Sequence, residues 1–257
     1  MANLFLAKAY LRYRKNAVSK HGIHSPFVFE LVTKVFPQNE DEPEEHPAEN
    51  WRTECLLDHT IINVLDLGTG NSGPRKISDI AKHAAKSPSE GRLLHRIVKY
   101  FNPEKMLELG TSLGITSVYE ATATDHLHFI SLEGCPETAA YARNYLSSNE
   151  HRVDVRTGNF IDTLDPALNE LEKVDHIFFD GNHTEEATMD YFEKCLPFAH
   201  NDSIFIFDDI HWSEGMERAW EKIKQHPQVR LTIDVFHFGL VFFRAEQLER
   251  EHFVVKF

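Results

Sequence analysis

Short apolar runs alternate with helix-patterned segments between residues 93 and 223, and this alternation limits the folds open to the chain. The predicted strands are 106–109, 128–132, 152–156, 174–179 and 203–207. The predicted helices are 93–101, 112–123, 136–146, 185–198 and 213–223. Because strand–helix–strand units form right-handed crossovers between parallel strands, the pattern predicts an α/β fold with a doubly wound, mostly parallel sheet.

The end of the chain follows a different pattern. Two further predicted strands, 231–236 and 240–243, are separated by only a few residues that include Gly239. Neighbouring parallel strands need a long crossover connection. Because this connection is short, it allows only an antiparallel pair. The sheet is therefore expected to finish in a C-terminal antiparallel hairpin.

The first 90 residues lack this alternation and are predicted to form an N-terminal helical extension before a domain at 91–257. Residues 4–36 are mostly helical in pattern, with a break at 21–26, where Ser25 and Pro26 suit a new helix start. Residues 38–50 are acidic, contain prolines and show no periodicity, which predicts a flexible loop.

Composition excludes several classes of function. The formal net charge of -13 would repel nucleic acids, and 42% hydrophobic residues are enough for a substantial core. The one basic cluster is interpreted as a solvated helix face and comprises Lys8, Arg12, Arg14, Lys15 and Lys20. Three cysteines without C-x-x-C spacing argue against a disulfide framework and a zinc site.

Hydropathy gives no sign of a membrane segment. No run reaches about 18 consecutive apolar residues, and the N-terminus has no long apolar stretch typical of a signal peptide. The expectation is a soluble, cytoplasmic protein with no membrane partner. The sequence leaves its oligomeric state open, with a homodimer as one expectation.

The segment from Leu107 to Gly114 carries the strongest chemical signal. A strand ends there, a turn with Gly110 and Gly114 follows, and a helix begins. Glycines let a backbone approach a ligand closely, and ligands bind at the carboxyl edge of parallel sheets. Glu133 lies 25 positions after Glu108, directly after the next predicted strand, where a carboxylate can accept both hydroxyls of a ribose.

Polar residues follow the later strands as well. Gly158 and Asn159 come after the third strand, where an adenine could be bonded and packed; Asp180 follows the fourth strand, and Asp208 and Asp209 follow the fifth. All would lie at one edge of the sheet. The combination is more specific than any single element.

On these residues the chain resembles the class I, Rossmann-like S-adenosylmethionine-dependent methyltransferases, close to the small-molecule O-methyltransferases, over about residues 91–244. The resemblance implies S-adenosylmethionine as cofactor and a small-molecule substrate. The cofactor-binding positions that it implies are Glu108, Gly110, Thr111, Ser112, Gly114, Glu133, Asn159, Phe160 and Asp180.

The resemblance to catechol O-methyltransferase-like enzymes also implies a divalent cation, Mg2+ or another, bound by Asp180, Asp208 and Asp209. Such a cation would orient a substrate hydroxyl and lower its pKa. Asp209 stands where those enzymes usually have an amide. In the alternative interpretation, these carboxylates cap the following helices or contact the cofactor.

Catalysis is assigned to Asp180, His183 and His211. Histidine titrates near neutral pH, so His183 and His211 are candidates for the general base, with His211 favoured because Trp212 beside it could wall a substrate pocket. Among 16 histidines, one near a site by chance is expected, and an ordinary loop position is the alternative.

Three rival interpretations of the function are an α/β-hydrolase, a short-chain dehydrogenase and a cofactor-binding domain without catalysis. Residues 110–114 also spell G-x-S-x-G, so Ser112 could be the nucleophile of an α/β-hydrolase, with Asp208 or Asp209 and His237 completing a triad. This leaves the predicted ribose-binding acid unexplained. Residues 66–73 imitate a nucleotide loop but lack a following strand and are interpreted as a turn. A cofactor-binding domain without catalysis is the third rival; a short-chain dehydrogenase is disfavoured, because no tyrosine has a lysine four residues later.

Overall fold

The computed structural model describes residues 2–38, 44–68, 70–125 and 128–257. The helices are α1 Ala2–Asn16, α2 Pro26–Glu30, α3 Pro47–Leu57, α4 Ile77–His83, α5 Pro88–Phe101, α6 Ile115–Ala121, α7 Pro136–Ser148, α8 Phe160–Leu171, α9 Glu185–Cys195 and α10 Glu214–Gln225. The strands are β1 Ile61–Val64, β2 Gly73–Lys76, β3 Lys105–Leu109, β4 His128–Glu133, β5 Val153–Thr157, β6 His176–Phe179, β7 Ile204–Asp208, β8 Leu231–Asp234, β9 Phe238–Phe242 and β10 Glu251–Val254.

The chain forms two compact units. The first unit comprises residues Met1–Pro37 and Lys173–Phe257, and the second comprises Gln38–Glu172. The predicted boundary at residue 90 is a different division, based on pattern, and stays a prediction.

In the first unit, β6 pairs in parallel with β7, whereas β9 is antiparallel to both β7 and β8. The predicted C-terminal hairpin is therefore present, with Asp234 opposite Gly239. The core is aromatic, because these strands bury large side chains completely. Its fully buried phenylalanines include Phe178, Phe205, Phe207, Phe238 and Phe242.

β10 adds in parallel to β8, and the sequence analysis did not predict it. Its four residues, Glu251 to Val254, are two polar residues followed by two apolar ones, so they show no alternation, and they are only partly buried or exposed. Strands that lie at an edge need less apolar character than central ones, which explains why the hydropathy pattern missed it.

In the second unit, β3, β4 and β5 are consecutive parallel neighbours. Helix α5 leads into β3 and begins with a capping box, in which Ser87 and Glu90 satisfy each other's backbone N–H groups. It buries a face that includes Leu93, Leu94 and Ile97. The predicted α/β fold, with a mostly parallel sheet flanked by helices, is confirmed.

The region up to residue 90 contains more than helices. β1 and β2 form an antiparallel hairpin, with Ile61 opposite Lys76 and Val64 opposite Gly73. Residues 66–68 and 70–72 lie in the connection between these strands, in agreement with the predicted turn, and Thr69 is outside the described residues. The N-terminal helical extension of the prediction therefore also contains a short antiparallel hairpin, which the sequence analysis did not predict.

The predicted acidic loop, residues 38–50, is also shorter than expected. Residues 39–43 lie outside the described residues, and α3 begins inside the predicted loop at Pro47. His46 caps this helix by accepting a hydrogen bond from the backbone N–H of Ala48 at 3.2 Å. Proline at the first helical position is favourable, so Pro47 marks a helix start rather than a break.

Within the described residues, no helix combines the length and the apolar character needed to cross a lipid bilayer.

Candidate functional site

The turn after β3 in the second unit is held by backbone hydrogen bonds. The N–H groups of Gly110 and Thr111 both donate to the carbonyl of Leu132, at 2.9 and 3.2 Å. Gly114 has a φ of +76° and lies against α7, where an added Cβ would be 3.3 Å from the Cβ of Ala142. A left-handed backbone with no room for a side chain explains the glycine there.

Glu133 ends β4 with its carboxylate fixed by two backbone N–H groups. Ser112 N donates to Oε2 and Cys135 N donates to Oε1, each at 2.8 Å. The first bond ties the carboxylate to the turn after β3. The backbone carbonyl of Glu133 accepts from Gly158 N at 2.9 Å, which joins the ends of β4 and β5. The Glu133 side chain is half-buried, and a carboxylate offers about four lone-pair sites on its two oxygens.

The predicted role of Glu108 in binding the cofactor stays a prediction, and the structure shows its side chain in a buried hydrogen-bond network. Its side chain is completely buried and accepts hydrogen bonds from the hydroxyls of Ser117 and Ser131, at 2.5 Å each. Ser131 in turn contacts the hydroxyl of Thr111 at 2.5 Å. Glu108 thus joins β3, β4 and α6 behind the turn, and we assign it to holding the turn rather than to touching a ligand.

Asn159 and Phe160 lie where the chain leaves β5. The Oδ1 atom of Asn159 caps α8 by accepting from Ile161 N at 3.1 Å, and Phe160 is the half-buried first residue of that helix. The cap fixes the orientation of the Asn159 side chain at the carboxyl end of the strand.

Trp51 is a supporting residue that the sequence analysis missed. From α3, its indole N–H donates to the carbonyl of Leu113 at 2.8 Å, and its ring stacks on Tyr145 of α7 at 3.7 Å between centroids. The turn is therefore braced from a helix that lies far away in sequence. Sequence reasoning missed it because α3 was not predicted there.

In the first unit, three of the predicted catalytic and metal-binding residues come together. Ligand atoms of Asp180, His183 and Asp208 all lie within 4.8 Å of one another. His183 Nε2 is 3.3 Å from Asp180 Oδ1. Asp208 is buried, whereas the side chains of Asp180 and His183 are 16% and 27% exposed. Two carboxylates and an imidazole at this spacing could hold a metal ion or share a proton.

Asp209 is not part of this group. Its backbone is left-handed, with φ +53°, and its N–H donates to the carbonyl of His237 at 2.8 Å. The structure brings His183 to Asp180 and Asp208 in its place. The group thus contains Asp180 and Asp208 of the predicted metal-binding set, and the role of Asp209 as a metal ligand stays a prediction.

His211 is held by two carboxylates, which the sequence analysis did not foresee. Its Nδ1 contacts Glu217 Oε1 and its Nε2 contacts Asp234 Oδ2, both at 2.9 Å, and Arg12 also pairs with Glu217. Burial lowers the pKa of His211, but hydrogen bonds and attraction from Asp234 and Glu217 outweigh it, so the pKa is raised. Both nitrogens are occupied and the imidazolium is favoured, which suits a structural role rather than a general base.

The structure also bears on the hydrolase interpretation. Ser112 has a φ of +49°, and its N–H is bound to the Glu133 carboxylate. A fixed negative charge beside the serine would oppose the oxyanion that forms during acyl transfer. In addition, β3 is the first of the parallel strands in sequence, whereas a hydrolase nucleophile follows several of them.

Comparisons with known proteins agree with this geometry. Residues 107–210 match the model of a family described as a methyltransferase domain. A catechol O-methyltransferase of Niastella koreensis is 27% identical over 128 residues, which make up 48% of this chain and 57% of that protein. The chain matches 57% of the length of the two curated relatives, so their whole activity is not carried over by similarity alone.

Solved structures show the same fold. An O-methyltransferase from Bacillus cereus, in complex with S-adenosylhomocysteine, has a TM-score of 0.55 and 24% identity, covering 62% of this chain and 83% of that one. TomG, an O-methyltransferase from Streptomyces achromogenes in complex with S-adenosylmethionine, has a TM-score of 0.55 and 17% identity, covering 78% of this chain and 100% of that one.

Proposed function

We propose that this chain, which resembles the class I S-adenosylmethionine-dependent O-methyltransferases in fold and in sequence over residues 107–210, transfers a methyl group from S-adenosylmethionine to a hydroxyl oxygen of a small molecule. The proposed cofactor-binding elements are the turn after β3 and Glu133, and the proposed groups for the acceptor hydroxyl are Asp180, His183 and Asp208.

One observation carries the proposal. The turn from Gly110 to Gly114 and the Glu133 carboxylate are locked together by the hydrogen bond from Ser112 N at 2.8 Å. A carboxylate fixed at the end of the second parallel strand, beside a turn that contains Gly110 and Gly114, suits a ribose diol and the chain attached to it. Asn159 and Phe160 stand at the end of the next strand, where the adenine would be bound.

Methyl transfer needs little covalent chemistry from the protein. The acceptor oxygen attacks the methyl carbon in line, the carbon–sulfur bond breaks, and the sulfonium leaves as a neutral thioether. The hydroxyl proton must depart for the oxygen to be an adequate nucleophile. The protein therefore contributes alignment of the two reactants and a place for that proton.

The donor set of Asp180, His183 and Asp208 fits a divalent cation. Two carboxylates with an imidazole nitrogen suit Mn2+, Fe2+ or Zn2+ better than Mg2+, which prefers ligands that are all oxygen. A cation there would lower the pKa of the acceptor hydroxyl. Because Asp208 is buried, the pairing of its charge with a cation would also offset its desolvation.

The assay for activity is methyl transfer from S-adenosylmethionine to a panel of hydroxylated aromatic and aliphatic compounds, followed by mass spectrometry. We expect product with at least one hydroxyl class, and loss of at least 100-fold in rate in Asp180→Asn and Asp208→Asn. Asp202→Asn, an exposed aspartate in the same unit, is the matched control. Binding of S-adenosylhomocysteine with no transfer to any compound would favour a domain that binds the cofactor without catalysis.

Metal dependence is tested separately. Mn2+, Zn2+ and Mg2+ are titrated into chelator-treated protein, and His183→Ala is compared with the wild type. We expect wild-type preference for Mn2+ or Zn2+ over Mg2+ and loss of that preference in the variant, because the imidazole is the ligand that discriminates. Equal, weak binding of all three ions by both proteins would contradict the proposal that Asp180, His183 and Asp208 bind a divalent cation.

The type of acceptor, the cellular location and the oligomeric state are also proposals. The net charge of -13 favours a small-molecule acceptor over a nucleic acid. We expect a cytoplasmic protein, and light scattering after size exclusion distinguishes a monomer from the homodimer that is one expectation.

A further inference from the structure

The connection between β1 and β2 lies against the segment that carries Glu133. We call residues 65–72 the hairpin loop; the structure describes all of them except Thr69. Leu65 N donates to the sulfur of Cys135 at 3.3 Å. Next to the loop, Asn63 N donates to Glu137 Oε2 at 2.7 Å. Two contacts thus attach the hairpin to Cys135 in the β4–α7 connection and to the first turn of α7.

The hairpin loop is also braced internally. Asp66 N donates to the Ser72 hydroxyl at 3.0 Å, and Gly68 N donates to Asp66 Oδ1 at 3.1 Å. Arg75 of β2 pairs with the same aspartate at 3.7 Å. The residues before and after Leu67 in sequence, Asp66 and Gly68, are both held by these hydrogen bonds. The backbone of the loop therefore fixes the position of Leu67.

Gly134, the residue after Glu133, has no side chain, and Leu67 occupies the space next to it. A Cβ built on Gly134 would lie 3.0 Å from Leu67 Cδ1. Leu67 therefore lies against the backbone of Gly134, directly beside the Glu133 carboxylate. An alanine at position 134 would hinder this close approach. Leu67 and Leu65 nevertheless remain 46% and 44% exposed.

We propose that Leu67 is a specificity-determining residue for the nucleoside part of the cofactor, with its exposed surface packing on the adenosine whose ribose hydroxyls bind Glu133. The inference rests on the proposed function, since it names a further contact of the same cofactor. A rigid apolar side chain beside a diol-binding carboxylate suits a nucleoside, which combines an apolar base with a polar sugar. This contact would make the imitation nucleotide loop at residues 66–73 part of the real site.

The test is calorimetric titration of the full chain with S-adenosylhomocysteine and with 5′-methylthioadenosine, which lacks the amino acid end. Leu67→Ala should weaken both ligands by about fivefold, because half a leucine surface is no longer covered. Gly134→Ala should weaken both as well, by displacing the leucine. Leu57→Ala, an exposed leucine at the end of α3, is the matched control and should change neither affinity by more than about twofold.

The outcomes separate this inference from the proposed function. Wild-type protein that fails to bind S-adenosylhomocysteine overturns both. Wild-type binding with an unchanged Leu67→Ala variant overturns the inference alone, as does a loss confined to the ligand that carries the amino acid. Equal melting temperatures of Leu67→Ala and the wild type would show that the lost affinity is local.

Discussion

Replacing His211 by glutamine tests whether this residue holds the fold or acts as a base. The imidazole bridges Glu217 and Asp234 at 2.9 Å each, and its side chain is only 12% exposed. A hydrogen bond to a charged group contributes about 1.5–3 kcal/mol. Glutamine can keep one neutral bond, and Glu217 keeps Arg12, so we expect the free energy of unfolding to fall by about 2 kcal/mol at pH 6.

The pH dependence has a defined sign. The folded protein raises the pKa of His211 above its unfolded value of about 6.5, so the folded state binds the proton more tightly. The stabilisation is therefore complete below about pH 6.5 and is lost as the pH rises through the folded pKa. The groups that face the imidazole are Glu217, Asp234 and, through Glu217, Arg12.

The assay is urea unfolding of wild type and His211→Gln between pH 6 and pH 9, with the exposed His21→Gln as control. The difference in free energy of unfolding should shrink steadily as the pH rises. A difference that stays constant or grows across this range would refute the reasoning. In the methyl-transfer assay the variant should keep most of its rate at pH 8, whereas a general base would lose at least 100-fold.

Three further changes follow from the same structure. Gly114→Ala forces a side chain onto a φ of +76° and to 3.3 Å from Ala142, so the midpoint of urea unfolding should fall by the equivalent of about 1–2 kcal/mol, and an unchanged midpoint would contradict the close packing. Ser117→Ala removes a 2.5 Å donor from the buried Glu108 and should cost about 1–3 kcal/mol by thermal melting. Burial raises the pKa of Tyr13 to about 12, so the difference between the ultraviolet titrations of wild type and Tyr13→Phe should show one tyrosine that ionises about two pH units above exposed ones, and a difference centred near pH 10 would contradict the burial.

The positions of the glycine turn and of Glu133 in the fold could be predicted because their signals are local, whereas their role in binding the cofactor stays a prediction. Gly110 and Gly114 follow an apolar strand, and Glu133 follows the next one, so topology alone places them at one sheet edge. Glu108 belongs to the same motif, yet its carboxylate is buried and accepts hydrogen bonds from two serine hydroxyls. Which face of a strand end a side chain takes depends on its neighbours in three dimensions.

The first unit is less accessible to sequence reasoning. Asp209 and His183 are both polar loop residues, and no local sequence pattern indicates that His183, rather than Asp209, lies in the group with Asp180 and Asp208. The role of His211 depends on Glu217 and Asp234, and the second of these lies 23 positions away in sequence. No local pattern indicates that two acids will converge on one imidazole.

The sequence analysis missed α3, β1 and β2 because the composition of these segments resembles that of a loop. Pro47 and its acidic surroundings suggested a break, but proline at a helix start is favourable once His46 supplies the cap. β2, with the sequence Gly73 to Lys76, has little strand propensity and forms through its pairing with β1. Tertiary pairing overrides local propensity in such short segments.

The most direct test of the account is calorimetric titration of the wild-type protein, Glu133→Gln and Glu54→Gln with S-adenosylhomocysteine. Glu54 is an exposed glutamate of the same unit and serves as the control. We predict micromolar binding by the wild type and the control, and binding weaker by at least tenfold in Glu133→Gln, because the hydrogen bonds of two ribose hydroxyls lose their charged acceptor. Absence of wild-type binding, or equal affinity in all three proteins, would contradict the central claim.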